Sequence, residues 1–408
     1  MRIIADLQVH SKYSRATSKD LSIENLEKYA RIKGLDLIGT GDFQHPLHRK
    51  EIDASLKEDS NGILRTKTGF PFIWQTEVSL MFNQEGKRRA VHLLIFAPST
   101  ELANKITKYL STKGRLDYDG RPIFGISCKQ LVKDLKLIED RIEIIPAHSF
   151  TPWFGLYGSK SGFDTLKECF GEETERIYAI ESGLSADPGM IWGMKEDVNV
   201  VSFSDLHSFW PWRIGREATI FDLDELNYNN LIKAIRTGNG LFGTIETPPA
   251  YGKYHWDGHR ACNFSCGPEE TKKLNGKCPV CGKLLTIGVE YRTLELTKEM
   301  GYKPPNAKPY YSLVPLHELL SVVYRTPLSG KKAWSIYNTL IEEFGSEFNI
   351  MLSTKREEMT KANLDEKLVE IILKNRDGKL NIKPGYDGVY GQIVDSEEHA
   401  KSQRTLAV

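Results

Sequence analysis

Short apolar runs that stop on metal-capable side chains recur along the first two hundred or so residues, and this series constrains the fold more than any other feature. The first run, Arg2-Ile3-Ile4, leads into Ala5-Asp6-Leu7-Gln8-Val9-His10-Ser11. Alternate residues of a strand share a face, so Asp6, Gln8 and His10 point one way while Leu7 and Val9 point the other, into packing. Three polar side chains on one face of a buried strand are costly unless something satisfies them. Further runs end in Gly39-Thr40-Gly41-Asp42, Gln75-Thr76-Glu77, Val91-His92, Ile145-Pro146-Ala147-His148, Ile180-Glu181 and Ser204-Asp205-Leu206-His207. One such ending would be weak, since a solvated strand end can look the same. The series in chain order is what a barrel-type metal site requires, because a βα barrel gathers the C-terminal ends of its strands at one mouth.

Helices are legible between these runs. Ser22 can cap a helix whose apolar face is Ile23, Leu26 and Ala30 and which Gly34 stops, and Leu35–Gly39 follows as a buried strand. Further helices are expected near 101–112, 127–138, 163–170 and 224–237. The alternation predicts a parallel sheet with its site at the strand C-terminal ends. Residues 59–70 and 83–90 read as loops, and Lys87-Arg88-Arg89 in the second reads as a solvated hairpin tip or a phosphate grip.

A chain of 408 residues suits two or three domains. Thr247-Pro248-Pro249 places a boundary near 248, so 1–248 forms the first domain. Residues 249–300 are rich in Gly, Lys and Cys and poor in long apolar runs, which suits a small module held by metal in place of a core. Lys303-Pro304-Pro305 opens a stiff linker, and 301–394 carries helical spacing at Val314–Tyr324, Ala333–Phe344 and Leu364–Leu373. The last stretch, 395–408, is polar and expected to be a disordered tail.

No apolar run approaches the roughly 18 residues that span a bilayer, so no membrane is expected as a partner. The start is too short and too soon acidic for a signal peptide, and a cytoplasmic location is expected. The net charge of +1 excludes bulk basicity as a route to nucleic acid, so a DNA site has to come from local patches.

Cys128 and Cys169 stand alone and read as buried thiols, whereas Cys262, Cys266, Cys278 and Cys281 crowd together. Such crowding in a cytosolic chain argues for zinc and against disulfides. Cys278-x-x-Cys281 is one knuckle of a tetrahedral site. The other is His259-x-x-Cys262 or a pairing that uses Cys266, with His255 a more distant option. Four protein ligands leave no open position for water, which makes that zinc structural.

The ordered set Asp-x-x-x-His-Ser, Gly-Asp, Glu, His, Ala-His and Ser-Asp-x-His resembles the polymerase-and-histidinol-phosphatase (PHP) family of metallo-phosphoesterases. Longer stretches resemble its endonuclease Q branch: Gly-Thr-Gly-Asp-Phe (39–43), Pro-Ala-His-Ser-Phe-Thr-Pro-Trp (146–153), Ile-Glu-Ser-Gly-Leu-Ser-Ala-Asp-Pro (180–188), Cys-Pro-Val-Cys-Gly (278–282) and Pro-Gly-Tyr-Asp-Gly-Val-Tyr-Gly (384–391). The resemblance covers roughly residues 1–394. It implies an α/β protein with a distorted (β/α)7 barrel of the PHP type, followed by a small zinc-binding module and a helical C-terminal domain.

The same resemblance implies residue roles. Glu77 would bridge two metals, His92 and His148 would complete one, and His10, Asp205 and His207 would hold the other. Gln8 and Asp42 are further candidate ligands, and Asp6, Glu77, Asp205 and His207 are candidate catalytic residues. Relatives often carry Cys-x-x-Cys where this chain has His259-x-x-Cys262, which favours His259, Cys262, Cys278 and Cys281 as the structural zinc site. Mixed imidazole and carboxylate ligands suit zinc, manganese or iron, and an all-oxygen shell would suit magnesium. The expected complement is therefore about one structural zinc plus one or two divalent cations (zinc, manganese or magnesium) in the barrel. Departures from the family pattern argue against a third barrel metal: Gln8 stands where the first-strand motif usually has His, Phe43 where many relatives have His, and Arg15 near a third-metal His of some members. His45 and His48 read as surface histidines.

Trp153, Phe154 and Tyr157 follow His148, and Phe209, Trp210 and Trp212 follow His207. On loops beside a metal site such rings can stack on bases or pack over the barrel mouth. Arg213 and Arg216 can meet phosphates or pair with local acids. With the resemblance, Trp153, Phe154, Trp210, Trp212 and Arg213 become candidate substrate contacts around an extruded base. The implied activity is DNA repair: recognition of uracil, hypoxanthine, possible xanthine and abasic sites, with cleavage of the phosphodiester 5′ of the lesion. The rival readings are a phosphatase for small phosphomonoesters and a non-catalytic DNA-binding relative in which Gln8 marks a decayed site. Nothing in the sequence specifies a protein partner such as a sliding clamp.

Overall fold

Runs of β-branched and aromatic residues form the strands that position the site, in a computed structural model that describes residues 1–394. The expected tail, 395–408, lies outside the described residues. The main strands before residue 248 are β1 (Arg2–Asp6), β2 (Leu37–Gly39), β3 (Pro71–Gln84), β4 (Lys87–Ala97), β5 (Glu143–Pro146), β6 (Ala179–Glu181), β7 (Asn199–Val201), β8 (Ala218–Asp222) and β9 (Leu241–Glu246). The helices between them are α1 (Ile23–Lys33), α2 (Pro46–Ser55), α3 (Thr100–Ser111), α4 (Cys128–Ile138), α5 (Leu166–Phe170) and α6 (Tyr228–Thr237), with a further short helix at Pro188–Trp192.

Helix ends follow their caps. Ser22 accepts from the Asn25 amide ahead of α1, and Gly34 closes it with a φ of 94°. Ser99, Ser127 and Asn227 cap α3, α4 and α6 in the same way. The two helices expected from 163 and 224 therefore start later than expected, at Leu166 and Tyr228. Helix α2 carries no apolar stripe, with only His48 and Ile52 buried, and sequence periodicity passes over it.

The sheet is mixed and not parallel as the alternation predicted. Strands β1, β2 and β3 run parallel, with Ala5 opposite Leu37 and Ile38 opposite Phe72. Strand β3 then turns straight back into β4, placing Glu77 opposite Leu94 and Ser79 opposite His92. The turn residues Glu85 and Gly86 have φ of 51° and 72°, the left-handed pair that closes a tight hairpin without a crossover helix. Lys87-Arg88-Arg89 accordingly opens a strand, and Arg89 lies 4.1 Å over the Phe163 ring. Strand β4 pairs antiparallel with β5, and on the other flank β1 pairs antiparallel with β8 and β8 with β9.

Strands β6 and β7 form a separate two-stranded sheet that lies between β5 and the chain after β1. These two pair parallel, with Ile180 opposite Val200, and Ser149 donates its amide to Glu181 carbonyl at 3.0 Å. A single bridge, Val9 to Leu206, sets the chain after β7 beside the chain after β1. The expected residues meet at one mouth, but Glu77 and His92 reach it from within β3 and β4 and not from strand ends.

Beyond Thr247 the chain forms a small hairpin of Asp257–His259 and Phe264–Cys266 and a helix Pro268–Lys273, around little apolar matter beyond Cys266, Cys278 and Leu285. Arg292, on the helix Val289–Leu296, donates to the carbonyls of Tyr157 and Phe163 and so ties this module to the loop that follows His148. Tyr310–Ser312 then adds to the barrel sheet beside β9. Helices Leu316–Tyr324, Lys331–Phe344 and Glu366–Arg376 fall where their periodicity put them. The last stretch folds back onto the start of the small module, with Gly391 donating to the Tyr251 carbonyl at 3.0 Å, and brings the Tyr390 hydroxyl within 3.3 Å of Arg216. No helix of the described residues is long and apolar enough to cross a membrane.

Candidate metal centre and adjoining cavity

Three of the residues at the mouth, Asp42, His148 and Asp205, follow strand endings with φ of 34°, 31° and 49°. Non-glycine residues in this left-handed region cost on the order of 1–3 kcal/mol each and persist only where packing holds them. At His148 the packing is explicit. Gly183 lies so close that a Cβ on it would be 2.8 Å from the His148 Cα. Glu181 also accepts the His148 backbone amide.

The ligand candidates form two clusters, Glu77 with His92 and His148, and His10 with Asp205 and His207. In the first, His92 Nδ1 lies 2.6 Å from Glu77 Oε1 and 3.1 Å from His148 Nε2. In the second, His10 Nε2 lies 3.3 Å from Asp205 Oδ1, with His207 Nδ1 3.6 Å from the same oxygen. Glu77 joins the clusters, because its other oxygen, Oε2, is 3.1 Å from His10 Nε2.

These residues fit bound cations. Gln8 Oε1, His10 Nε2 and Asp205 Oδ1 are buried with no hydrogen-bond partner, and such orphans are costly unless something else takes them. Burial pushes the His92 imidazole down to about 3, so it is neutral with a lone pair to give. Burial would raise the Glu77 carboxyl, but Arg121, His92 and His10 outweigh it and hold the group well below the ordinary range. Imidazole mixed with carboxylate is the donor set of a transition-metal site.

Asp42, a candidate ligand, and Asp6, a candidate catalytic residue, both lie outside the two clusters. Asp42 accepts from the Ser11 amide at 2.7 Å and the Ser14 hydroxyl at 2.8 Å, and takes the Nδ1 side of His10 at 3.2 Å. It belongs to neither cluster. Asp6 is spent on the Ser204 amide at 3.0 Å, the Ser204 hydroxyl at 2.5 Å and the Gly215 amide at 2.9 Å. Burial raises its carboxyl to about 6. The cause is that β1 ends at Asp6, so the alternation that put Asp6, Gln8 and His10 on one face does not run the length of the motif. Gln8 reaches Glu77, donating through Nε2 at 2.8 Å. His45 and His48 are buried and not on the surface: His45 stacks on Tyr13 at 4.6 Å, and His48 Nε2 lies 2.9 Å from the Thr40 carbonyl oxygen. Phe43 is buried edge-on to Trp74.

His259, Cys262, Cys278 and Cys281 converge within 4.8 Å of one another, while Cys266 turns aside to the Thr271 hydroxyl at 3.2 Å. His255 is buried beside the Ser185 carbonyl and stands apart from the four.

A cavity of 280 Å³ opens beside the second cluster. Its lining brings Asp205 and His207 together with Arg213, Arg216, Lys253 and Tyr390. Arg216 is fixed by two hydrogen bonds to the Ser204 carbonyl, at 3.0 and 2.9 Å, and lies 3.3 Å from the Tyr390 hydroxyl.

The crystal structure of the novel lesion-specific endonuclease PfuEndoQ from Pyrococcus furiosus superposes with a TM-score of 0.86 at 31% identity, covering 98% of this chain and 97% of that one. A structure of endonuclease Q in complex with a 27-mer duplex substrate carrying an abasic lesion at the active site superposes at 0.88 and 32% identity, covering 98% of each chain. The chain belongs to the endonuclease Q family. Other relatives are the Bacillus subtilis protein YqxK, 27% identical over 96% of this chain and 99% of its own length, and MJ0043 of Methanocaldococcus jannaschii, 34% identical over 60% of this chain. This chain spans only 31% of the length of MJ0043. Residues 315–379 match the MJ0043 C-terminal domain family.

In this endonuclease Q-type chain the expected aromatic rim is only partly where the loops suggested. Trp153 is 42% exposed and meets the edge of Tyr254 at 5.8 Å, and Phe154 stacks on His92 at 4.3 Å. Trp210 and Trp212 stack on each other at 5.6 Å and pack against Trp334 of the C-terminal helices, so they do not line the cavity. Their apolar partners come from far down the chain, which loop position could not reveal. Arg213 does line the cavity. The aromatic residues that line the cavity are instead Phe203, Tyr254 and Tyr390, and Tyr390 lies in the Gly- and Tyr-rich stretch 384–391. Arg121, which donates to Glu77 Oε1 at 3.2 Å, had no local signal at all.

Proposed function

We propose that this protein is a metal-dependent DNA-repair endonuclease that accepts duplexes carrying deaminated bases or abasic sites and hydrolyses the phosphodiester 5′ of the lesion. The observation that carries the proposal is Glu77, whose two oxygens face different ligand clusters beside a cavity lined in part by Arg213, Arg216, Lys253 and two tyrosines.

Divalent cations held by Glu77, His92 and His148 and by His10, Asp205 and His207 would activate water and neutralise charge on the phosphoryl oxygens. The remaining work falls to the chain. Arg121 keeps Glu77 ionised and adds a positive charge at the mouth. Arg213, Arg216 and Lys253 supply cationic groups toward the cavity for backbone phosphates. Tyr254 and Tyr390 offer ring faces to a nucleotide turned out of the helix, and the cavity volume is small enough to favour one nucleotide unit over a duplex. The relative solved with an abasic lesion at its active site supports this placement.

The test is a set of end-labelled duplexes carrying one uracil, one hypoxanthine, one abasic site or no lesion, incubated with manganese-loaded protein. Nicking of the lesion strands alone, 5′ of the lesion, is expected. Equal nicking of the unmodified duplex, or activity confined to small phosphomonoesters, would overturn the reading.

A further inference from the structure

Lys33 is a lysine with almost no contact with water: its side chain and that of Glu347 are each 2% exposed. Its ammonium donates to Glu347 Oε1 at 2.6 Å and to the Pro211 carbonyl at 2.9 Å. Glu347 is saturated. The same Oε1 accepts the Leu316 amide at 3.0 Å, and Oε2 accepts the Tyr337 hydroxyl at 2.8 Å. Burying an ion pair is expensive, and an apolar pair of similar volume is often as stable, so stability alone does not explain it.

Its position does. Pro211 sits in the loop that follows Asp205 and His207 and carries Arg213 and Arg216. That loop has no regular secondary structure from 202 to 217. It is held from outside by the stack of Trp210 and Trp212 on Trp334, by Glu318, 3.5 Å from Arg213, and by Lys33. Lys33 ends α1 of the barrel, while Trp334, Glu318 and Glu347 belong to the C-terminal helical region. The close fit extends to Gly215, where a Cβ would lie 2.9 Å from Lys33 Cγ.

We infer that Lys33 and Glu347 are positioning residues: the pair fixes the 208–216 loop so that Arg213 faces the cavity, and through it the C-terminal helices set how tightly the DNA backbone is gripped. The inference rests on the proposed DNA substrate. It assigns the pair no contact with substrate or metal.

The test is the double variant Lys33→Met with Glu347→Gln, which leaves no lone buried charge, compared with Arg213→Ala and the triple combination. Two quantities are read: affinity for an abasic-site duplex by fluorescence anisotropy, and turnover of bis(4-nitrophenyl) phosphate by the manganese-loaded protein. The double variant should bind the duplex about tenfold more weakly while reporter turnover stays within about twofold, because the pair acts through a phosphate contact. In the Arg213→Ala background it should weaken binding no further, as expected for groups that share one contact. An undiminished duplex affinity, an equal fall in reporter turnover, or losses that add to that of Arg213→Ala would overturn the inference. Since affinity is read without nicking, a wild type that binds but does not nick overturns the functional reading and leaves the pair's own result standing.

Discussion

Asp42 holds the Nδ1 side of His10 at 3.2 Å, which leaves Nε2 facing Glu77 and Asp205. A carboxylate behind an imidazole fixes the ring and makes it a better ligand, and removing one typically costs about 10–100-fold in metal affinity. Asp42→Asn should therefore lower affinity for manganese or zinc at the barrel site by about that factor. Competition with a chelating dye measures it. Equal affinity of variant and wild type would show that Asp42 does not set the His10 ligand.

Gln8 invites the opposite experiment. Its carbonyl oxygen is buried without a partner, and its amide nitrogen spends a hydrogen bond on Glu77. An imidazole is a stronger ligand than an amide for late divalent ions, so Gln8→His should tighten binding at the cluster of His10, Asp205 and His207. Titration with zinc, followed by calorimetry, reads the change. Unaltered affinity would place Gln8 outside the coordination shell.

The aromatic residues should separate by role. If Tyr254 stacks on an extruded nucleotide, Tyr254→Ala should weaken lesion cleavage by about 1–3 kcal/mol with little loss of fold. Trp210→Ala should instead lower unfolding stability by about 3–5 kcal/mol, since its ring is packed between Tyr29, Trp212 and Trp334. Denaturant titration beside nicking assays distinguishes them, and a Trp210 variant of wild-type stability would contradict the packing role.

The module that brings His259, Cys262, Cys278 and Cys281 together makes a separate prediction. Cys278→Ser should remove about one zinc per chain and loosen the module, because a domain with so little apolar core depends on its metal. Through Arg292 the loss should reach the loop after His148 and weaken grip on DNA more than turnover of a small phosphodiester. Elemental analysis and duplex affinity check this. A variant with intact folding and affinity but no chemistry would reverse the division of labour.

Alkaline stability offers a test remote from the site. Lys136 has a fully buried side chain that donates to the carbonyls of Asp140 and Ile142, and burial pulls its pKa from 10.5 down to about 8. Between those values the unfolded chain binds more protons than the folded one, so stability rises as pH climbs from about 8 to 10.5. Lys136→Met should flatten that rise relative to wild type. Unfolding midpoints across the window, compared between the two proteins, decide it.

The sequence by itself marked out most of the candidate ligands, most of the helices and the class of chemistry. Strand endings such as Pro146-Ala147-His148 and Ser204-Asp205-Leu206-His207 are local: an apolar run sets the strand, and the next polar residue emerges beyond its end. The zinc knuckle and the capped helices are local in the same sense, since spacing and caps act within a turn or two. What only the tertiary structure decided depends on contacts between distant parts of the chain. Asp42 and Asp6 became supports for His10 and Ser204 because the neighbouring strands placed donors around them. Trp210 and Trp212 became packing because the C-terminal helices supplied Trp334, and Tyr390 reached the cavity because the final stretch folds back onto Tyr251. A side chain's type and spacing state what it can do, but which partner it meets is settled by chain closure over hundreds of residues, and no local pattern encodes that.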